Sequence, residues 1–299
     1  MHVSLVGKVC RKYLKDERSK MKIGILGLGL IGGSLGYDLR SHGHHVLGIS
    51  RRLATCEKAV ALGSVDEAYV DMSLLATTEV VFICTPIALI IPQVEQLIEH
   101  LPSTTIVTDV GSVKAPIVKA ISPLWANFLG GHPMAGRTDN GIEAAQRNLF
   151  VDKPYVLTPE ATTPTKAIAV VEEIVRSLGA NIYHCEPEQH DRAVSWISHL
   201  PVMVSSSLIA ACISETDSEV LQLAKNLASS GFKDTSRVGG GNPELGLMMA
   251  QYNRPALLRS LQQYRHKLDE LTNLIEQENW TALEVKLQSS HNARPDFVE

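Results

Sequence analysis

A glycine-rich turn near residue 27 constrains the fold more than any other feature of this sequence. It follows a short apolar run at 22–26, precedes a segment of helical character, and consists of Gly27-Leu28-Gly29-Leu30-Ile31-Gly32. In a strand–turn–helix unit the first glycine allows the tight turn and the second lets a pyrophosphate approach the backbone. The third glycine lets the helix pack closely on the strand, and the helix N-terminus attracts phosphate. All six residues are therefore candidates for binding a dinucleotide.

The end of the second strand indicates which dinucleotide binds. A site specific for NAD carries Asp or Glu at this point, where the carboxylate accepts a hydrogen bond from the ribose 2′-hydroxyl. This chain instead has Ser50, Arg51 and Arg52. A hydroxyl and two guanidinium groups suit a 2′-phosphate, so we predict NADP as the cofactor. The alternative is that the two arginines belong to a solvated loop.

Strand-like and helical segments alternate through the first part of the chain. Apolar runs typical of buried strands occur at 22–26, 46–50, 80–84, 105–108, 128–131, 154–157 and 181–185. This alternation predicts a parallel sheet with helices on both faces. Ligands of such sheets bind at the carboxyl ends of the strands, which adds Cys84, Thr85 and Pro86 to the candidate cofactor-binding residues.

The pattern becomes helical after residue 185. A long helix at 189–213 is interrupted at Pro201, and another spans 218–229. A third helix begins near Asn253 and places apolar residues at heptad spacing, namely Leu257, Leu261, Tyr264, Leu268, Leu271 and Ile275. Such a face packs either inside one subunit or against a second chain. We predict a homodimer formed through this half.

The sequence therefore divides into three parts. Residues 1–20 form an N-terminal extension, 21–185 an α/β Rossmann-type dinucleotide-binding domain, and 186–299 an all-α domain for substrate binding and dimerisation. The extension is basic, contains Asp16 and Glu17, and lacks the apolar segment of a signal peptide. We expect it to lie outside the fold, and a functional tail is the alternative.

Composition excludes several classes of protein and partner. A chain of 299 residues with 44% hydrophobic residues suits two globular domains and excludes a disordered, collagen-like or rod-like protein. A net charge of -4 gives no electrostatic case for nucleic acid. The five separated cysteines indicate a reducing cytoplasm and no zinc or disulfide framework. The apolar run at 80–92 is too short to cross a bilayer, so we predict neither a membrane partner nor a bound metal.

Polar side chains follow two of the later strands. The two segments are Asp109-Val110-Gly111-Ser112-Val113-Lys114 and Gly130-Gly131-His132-Pro133-Met134-Ala135-Gly136. A histidine between glycines and a proline beside a sheet crevice is hard to explain by core packing, so we predict that His132 is a general base.

The helical half carries further polar candidates. These are the pair His190-Asp191, the run Ser198-His199-Leu200-Pro201 and the glycine-rich stretch 232–243. Arg237, in that stretch, could hold a carboxylate in bidentate fashion. The alternative is that 232–243 is only a surface loop.

These motifs together resemble the prephenate and arogenate dehydrogenase family of tyrosine biosynthesis. The resemblance extends from Met21 to the end, is most specific at 109–114, 130–136, 198–204 and 235–237, and is greatest to the cyanobacterial, NADP-dependent arogenate dehydrogenases. It implies that His132 takes the proton of the ring hydroxyl while hydride leaves for the nicotinamide, after which CO2 departs and the ring becomes aromatic. It also implies that Ser112 holds the hydroxyl and the histidine in line. Arg237, His199 and Gly136 would contact the small-molecule substrate.

One departure from the family pattern bears on the substrate. Many members that use prephenate carry a second histidine after His-Leu-Pro, where this chain has Val202. Arogenate, unlike prephenate, presents an ammonium group that needs a carboxylate partner. We predict Asp191 for this role, with Glu188 and Asp234 as alternatives. Few residues follow the heptad helix, so any feedback by tyrosine is expected at the active site.

Three other functions stay open on the sequence alone. One is a prephenate dehydrogenase that yields 4-hydroxyphenylpyruvate. Another is a β-hydroxyacid or imine dehydrogenase, which shares the dinucleotide fold and a helical dimer domain but would not explain 130–136. The third is an NADP-binding sensor that keeps the fold without the chemistry. The presence of His132 and Ser112 counts against the sensor.

Overall fold

The structure is a computed structural model that describes residues 20–136 and 139–298. The proposed extension at 1–20 lies outside the described residues, apart from Lys20.

An eight-stranded sheet forms the first half of the chain, with strand order β3-β2-β1-β4-β5-β6-β7-β8. The strands are β1 (Lys22–Leu26), β2 (His45–Ile49), β3 (Glu67–Tyr69), β4 (Val80–Ile83), β5 (Ile106–Asp109), β6 (Phe128–Pro133), β7 (Pro154–Thr158) and β8 (Asn181–His184). The helices between them are α1 (Leu30–Ser41), α2 (Leu53–Ala61), α3 (Ile87–Leu97), α4 (Ala115–Ile121) and α5 (Thr165–Ser177).

The sheet separates two hydrophobic cores. Alternate residues of a strand point to opposite faces, so Val80 and Phe82 join one core while Val81 and Ile83 join the other. Helices α1 and α5 contribute to the first core, and α3 and α4 to the second. Because both faces are covered, the inner strands β1, β2 and β4 are largely apolar, which explains why their apolar runs could be recognised in the sequence.

The last two strands correct the prediction of a wholly parallel sheet. Strands β1 to β6 are parallel, but β7 runs antiparallel to β6, and β8 is parallel to β7. A parallel neighbour needs a crossover connection, usually helical. The connection from β6 to β7 contains only a 3₁₀ turn among its described residues, Ile142–Ala144, so β7 pairs with β6 in the opposite direction.

The second half is helical. Its helices are α6 (Pro187–Val194), α7 (Leu200–Ile213), α8 (Ser218–Leu227), α9 (Ser230–Ser236), α10 (Pro243–Tyr252), α11 (Arg254–Glu276), α12 (Trp280–Ala293) and α13 (Pro295–Val298). The alternative that 232–243 is only a surface loop does not hold, because α9 occupies its first part. The boundary that we predict at residue 186 falls between β8 and α6, and the division into domains stays a prediction.

Helices α6 and α7 join into one long helix. A widened π-helical turn at Ser195–His199 connects them, directly before Pro201 in the first turn of α7. Proline has no N–H to donate to the preceding turn, which explains why the regular pattern breaks at this point. The predicted interruption at Pro201 is thus a change of pitch and not a break.

The joined helix Pro187–Ile213 is also unusually apolar and exposed. Its mean hydropathy reaches 1.6 over an 18-residue window, of which 17% is buried, so its length and composition alone would suit a membrane span. This helix is longer than the apolar run at 80–92, which is too short to cross a bilayer. A helix that is apolar on all sides is normally covered, so this surface requires a partner in the assembled protein.

The heptad face of α11 is only partly covered within the chain. Leu257 is buried at its start, whereas Tyr264, Leu268 and Ile275 are exposed. Packing inside one subunit therefore accounts for the first turn of the face, and the remainder is free to contact a second chain.

Candidate active site

A cleft of about 260 Å3 opens at the carboxyl edge of the sheet. It is lined by nine of the candidate cofactor-binding residues, namely Gly27, Leu28, Gly29, Ser50, Arg51, Arg52, Cys84, Thr85 and Pro86. The other three candidates, Leu30, Ile31 and Gly32, belong to the first turn of α1 and are not among the lining residues. The ends of β1, β2 and β4 thus meet around one cleft.

The three glycines differ in what surrounds them. Gly27 has a φ of 106°, and a Cβ there would lie 2.8 Å from the backbone of Cys84. A Cβ on Gly32 would lie 2.0 Å from the carbonyl oxygen of Gly27. At Gly29, the N-cap of α1, a Cβ would meet nothing within 4 Å. Gly27 and Gly32 therefore serve the tight turn, and the backbone at Gly29 is open to a ligand.

The residues around the cleft fit a dinucleotide. No acidic residue occupies the first turn of α1, so its N-terminal N–H groups face the cleft without a competing carboxylate. Ser50, Arg51 and Arg52 lie at the end of β2, and neither Asp nor Glu is among the cleft residues.

Sequence reasoning missed several residues of the cleft, of which Gln93 is the most informative. Gln93 lies on α3, and its side-chain oxygen is buried without a hydrogen-bond partner, as is the hydroxyl of Thr85. Buried polar atoms are normally paired, so these two are candidates to bind the cofactor. The other missed lining residues are Leu26, Ile49, Thr55, Leu89 and Gly141.

His132 lies near the end of β6, two strands from the cleft edge formed by β4. It is 8% exposed, and its Nδ1 lies 2.8 Å from Nε2 of His190 on α6. The two rings meet edge to face with centroids 5.0 Å apart. Because Ile83 pairs with Asp109, the 84–86 rim of the cleft is adjacent to the loop that carries Ser112. The structure therefore brings the predicted base to the same edge of the sheet as the cofactor cleft.

A buried ion pair lies beneath His132. The ammonium group of Lys114 contacts the carboxylate of Asp109, and it also donates to the carbonyl of Gly131 at 2.7 Å. Asp109 accepts further bonds from the N–H groups of Gly111 at 2.8 Å and Gly131 at 3.2 Å. These contacts tie the loop after β5 to β6. The sequence indicates the motif 109–114, but it contains no signal that Lys114 pairs with Asp109 and binds Gly131.

His132 is neutral at neutral pH. Burial lowers its pKa well below the usual value of 6.5, and electrostatic interactions with His190, Lys114 and His199 act in the same direction. A neutral imidazole has one nitrogen lone pair and can accept a proton. The predicted role of general base therefore has the required protonation state.

Asp191 lies on α6 beside His190, and both of its carboxylate oxygens accept hydrogen bonds from the protein. Its Oδ1 accepts bonds from Nδ1 of His190 at 2.8 Å and from the N–H of Lys114 at 2.7 Å, and its Oδ2 accepts one from the N–H of Ala115 at 2.9 Å. These bonds hold Asp191 in place, and its contact with a substrate ammonium group stays a prediction.

Ser112 and His199 each present an unpaired buried polar atom. These atoms are the hydroxyl oxygen of Ser112 and Nε2 of His199, in the π-helical turn. The amide nitrogen of Asn253 donates to the backbone oxygen of Asp191 at 2.8 Å and lies 3.0 Å from Nδ1 of His199. Since the amide donates to Nδ1, Nε2 carries the hydrogen of His199. Both residues can therefore bond to a substrate.

Four predicted substrate residues stay predictions. Arg237 directly follows α9 and is exposed, as is Asp234 within that helix. Gly136 is exposed, and a Cβ there would meet nothing within 4 Å. Glu188 is exposed on α6. Within the described ranges, no group of three or more His, Cys, Asp or Glu residues could hold a metal ion.

The fold and the cleft define a nicotinamide dinucleotide-dependent oxidoreductase whose cofactor domain precedes a helical domain. Among such enzymes, the chain belongs to the prephenate dehydrogenase family. Residues 35–184 match the family's nucleotide-binding domain, and 186–289 match its dimerization domain. The predicted fold class and the family resemblance are both confirmed. The exposed apolar helix Pro187–Ile213 lies within the match to the dimerization domain.

Three relatives illustrate the similarity. The structure of Synechocystis arogenate dehydrogenase is 56% identical with a TM-score of 0.85, covering 93% of this chain and 100% of that one. The structure of prephenate dehydrogenase from A. aeolicus, in complex with hydroxyphenyl propionate and NAD+, is 27% identical with a TM-score of 0.88, covering 94% and 99%. Prephenate dehydrogenase of Bacillus subtilis is 31% identical over 273 residues, which are 88% of this chain and 72% of the relative.

Proposed function

We propose that this chain is an NADP-dependent arogenate dehydrogenase, which converts arogenate to tyrosine with loss of CO2. The observation that carries the proposal is the neutral, buried His132 at the sheet edge that also holds the dinucleotide cleft. A base at this position is what removal of a hydroxyl proton beside a hydride acceptor requires. The membership of the prephenate dehydrogenase family supports the same reaction type.

The preference for NADP is supported by the end of β2. Ser50, Arg51 and Arg52 line the cleft, and their hydroxyl and guanidinium groups suit a 2′-phosphate. When bound, the nicotinamide supplies the acceptor for a hydride. The cleft residues Gly27 and Gly29 would hold the pyrophosphate, and Thr85 and Gln93 have unpaired polar atoms for the remainder.

The choice of arogenate is supported by two observations. The Synechocystis structure, 56% identical to this chain, is an arogenate dehydrogenase. Val202 stands where many prephenate-using members carry a histidine, and it cannot donate a hydrogen bond to a keto-acid side chain. Asp191 is the proposed partner of the ammonium group, and Glu188 and Asp234 are the alternatives.

The residues of the site divide the reaction between them. His132 accepts the proton of the ring hydroxyl as that carbon loses a hydride and becomes a ketone. The ketone withdraws electrons from the carboxylated carbon, so the bond to CO2 breaks and the ring becomes aromatic. The proton then returns from His132 to the phenol oxygen, and none is released overall. Ser112 bonds the reacting hydroxyl, while His199 and Arg237 bind the substrate's carboxylates.

The enzyme is proposed to act as a homodimer in the cytoplasm. The match to a dimerization domain and the exposed faces of α7 and α11 support the dimer. Four unpaired cysteines among the described residues, Cys56, Cys84, Cys185 and Cys212, suit a reducing compartment.

An assay of the purified chain with arogenate and prephenate, each with NADP and with NAD, tests this function. Absorbance of the reduced nicotinamide and chromatography of the aromatic product would be followed. We expect the highest kcat/KM with arogenate and NADP. The control His132→Asn should lose at least about 100-fold in kcat while its affinity for NADP, measured by fluorescence, changes little. Preference for prephenate would establish the alternative substrate, preference for NAD would overturn the cofactor assignment, and no turnover with any pair would overturn the function.

A further inference from the structure

Three buried side chains form a continuous hydrogen-bonded line behind His132. Its Nδ1 lies 2.8 Å from Nε2 of His190, and Nδ1 of His190 lies 2.8 Å from Oδ1 of Asp191. All three residues are less than a tenth exposed. The line joins β6 to α6, which are 58 residues apart in sequence.

The hydrogen positions along this line follow from its far end. Asp191 accepts bonds from the backbone N–H groups of Lys114 and Ala115, at the N-terminus of α4. A backbone N–H can only donate, and two such donors together with a helix N-terminus stabilise the ionised carboxylate. A carboxylate can only accept. Nδ1 of His190 must therefore carry the hydrogen of its bond to Asp191.

The direction of each following bond is then fixed. With its hydrogen on Nδ1, the imidazole of His190 has its lone pair on Nε2, so it accepts from His132. Nδ1 of His132 consequently carries its hydrogen, and its lone pair is on Nε2, the nitrogen that does not face His190. We propose that His190 and Asp191 are positioning residues that hold His132 in this tautomer, so that Nε2 is the atom that accepts the substrate's proton. The catalytic consequence rests on the proposed function of His132 as a base, whereas the tautomer itself does not.

The charges around His132 support the same division of roles. The groups that face it are Lys114 and Asp109 on the β5 side and His190, His199 and Asp191 on the helical side. The described bonds of the Lys114 ammonium group go to Asp109 and to the carbonyl of Gly131, and not to His132. Among the described contacts, His190 is the only side chain hydrogen-bonded to His132, so the tautomer depends on it.

Asp191→Asn is the most informative substitution. It preserves the shape of the side chain and can reverse the direction of the two hydrogen bonds that link residue 191 to His190 and His190 to His132. An amide can donate to Nδ1 of His190, which then carries its hydrogen on Nε2 and donates to His132. His132 would keep its own hydrogen on Nε2 and lose the lone pair that faces the substrate. We expect kcat to fall by about 100-fold or more, KM to change by less than about threefold, and the affinity for NADP to be retained.

The measurements are nitrogen-15 NMR of histidine-labelled protein and steady-state kinetics with arogenate and NADP. In the wild type, the nitrogen shifts of His132 should show a protonated Nδ1 and an unprotonated Nε2, and Asp191→Asn should exchange them. His190→Leu, which removes the line without reversing it, should leave a mixture of tautomers and a smaller loss in kcat. In the double variant Asp191→Asn/His190→Leu, the loss in kcat should be close to that of His190→Leu alone. The control is Glu173→Gln, which replaces a carboxylate by an amide at an exposed position of α5. Its kcat and its histidine nitrogen shifts should match those of the wild type.

Each outcome decides a different claim. A protonated Nε2 on wild-type His132 would overturn the proposal, as would an Asp191→Asn variant that exchanges the tautomer of His132 yet keeps its kcat within about threefold. Losses that simply add in the double variant would show that the two residues act separately and would also overturn it. If Asp191→Asn does not fold, or keeps the wild-type tautomer because its amide oxygen stays on His190, the tautomer mixture in His190→Leu decides. The expected tautomer in a protein with no turnover would overturn the proposed function and leave the positioning role intact.

Discussion

Burial of His199 makes the stability of the protein depend on pH. Burial lowers the pKa of this histidine from 6.5 to about 4 in the folded chain. Between these values the unfolded chain binds a proton that the folded chain does not, so the free energy of unfolding falls as pH decreases. We expect full stability from this source above pH 6.5 and a progressive loss towards pH 4. Urea unfolding at several pH values across this range would measure it.

Two variants separate His199 from other titrating groups. His199→Asn should flatten the dependence on pH, although His132 keeps part of it because its pKa is shifted in the same direction. His291→Asn, at an exposed position on α12, should leave the dependence as in the wild type. An unchanged slope in His199→Asn would contradict the prediction.

At the scale of residues, the sequence identified single side chains better than their partners. His132 and Ser112 could be found because each lies in a motif at the end of an apolar run. The bond from His132 to His190 joins β6 to α6, and the sequence contains no local signal of that contact. For the same reason the bonds from the backbone N–H groups of Lys114 and Ala115 to Asp191 could not be predicted.

The first turn of α1 offers a matched pair of glycine substitutions. A Cβ at Gly32 would lie 2.0 Å from a backbone oxygen, whereas a Cβ at Gly29 would meet nothing within 4 Å. We expect Gly32→Ala to lower stability by about 1–3 kcal/mol or more, because backbone must shift. Gly29→Ala should keep the wild-type Tm and weaken NADP binding at least about tenfold, since its methyl group occupies the approach of the pyrophosphate.

Thermal unfolding without nucleotide and fluorescence titration with NADP would compare the two variants. Each serves as the control for the other, because both change glycine to alanine within one turn. A stable Gly29→Ala variant that binds NADP as tightly as the wild type would show that the pyrophosphate does not approach here.

At the scale of elements, local patterns identified strands better than their directions. The buried strands β1, β2 and β4 were recognisable because both faces of the sheet are covered and their runs are apolar. The reversal of β7 depends on how the chain returns after β6, which periodicity does not record. Helix α9 was missed because its polar, glycine-bearing sequence is typical of a loop.

The whole molecule has an uncovered apolar face on α11. Leu268 is 50% exposed within the chain, on the same heptad face as the exposed Tyr264. We expect Leu268→Glu to dissociate the dimer, because a carboxylate would be buried without a partner. Sedimentation equilibrium at micromolar concentration would show one chain where the wild type shows two.

The control is Gln262→Glu, which adds the same charge to an exposed position of α11 outside the heptad face. This variant should sediment like the wild type. A wild-type protein that is already monomeric at this concentration would refute the dimer, and a dimeric Leu268→Glu variant would place the contact elsewhere.

At this scale the sequence predicted the order of the two halves and their characters. Both follow from the change from strand-like to helical patterning near residue 186, where the two family matches also meet. The high mean hydropathy of Pro187–Ile213 was not predicted, because serine residues interrupt its apolar run.

The helix Pro187–Ile213 carries candidate active-site residues as well as an exposed apolar surface. His190, Asp191 and His199 lie in its first half, and its second half is the exposed apolar α7. We therefore expect a change that kinks or lengthens this helix to alter turnover and assembly together.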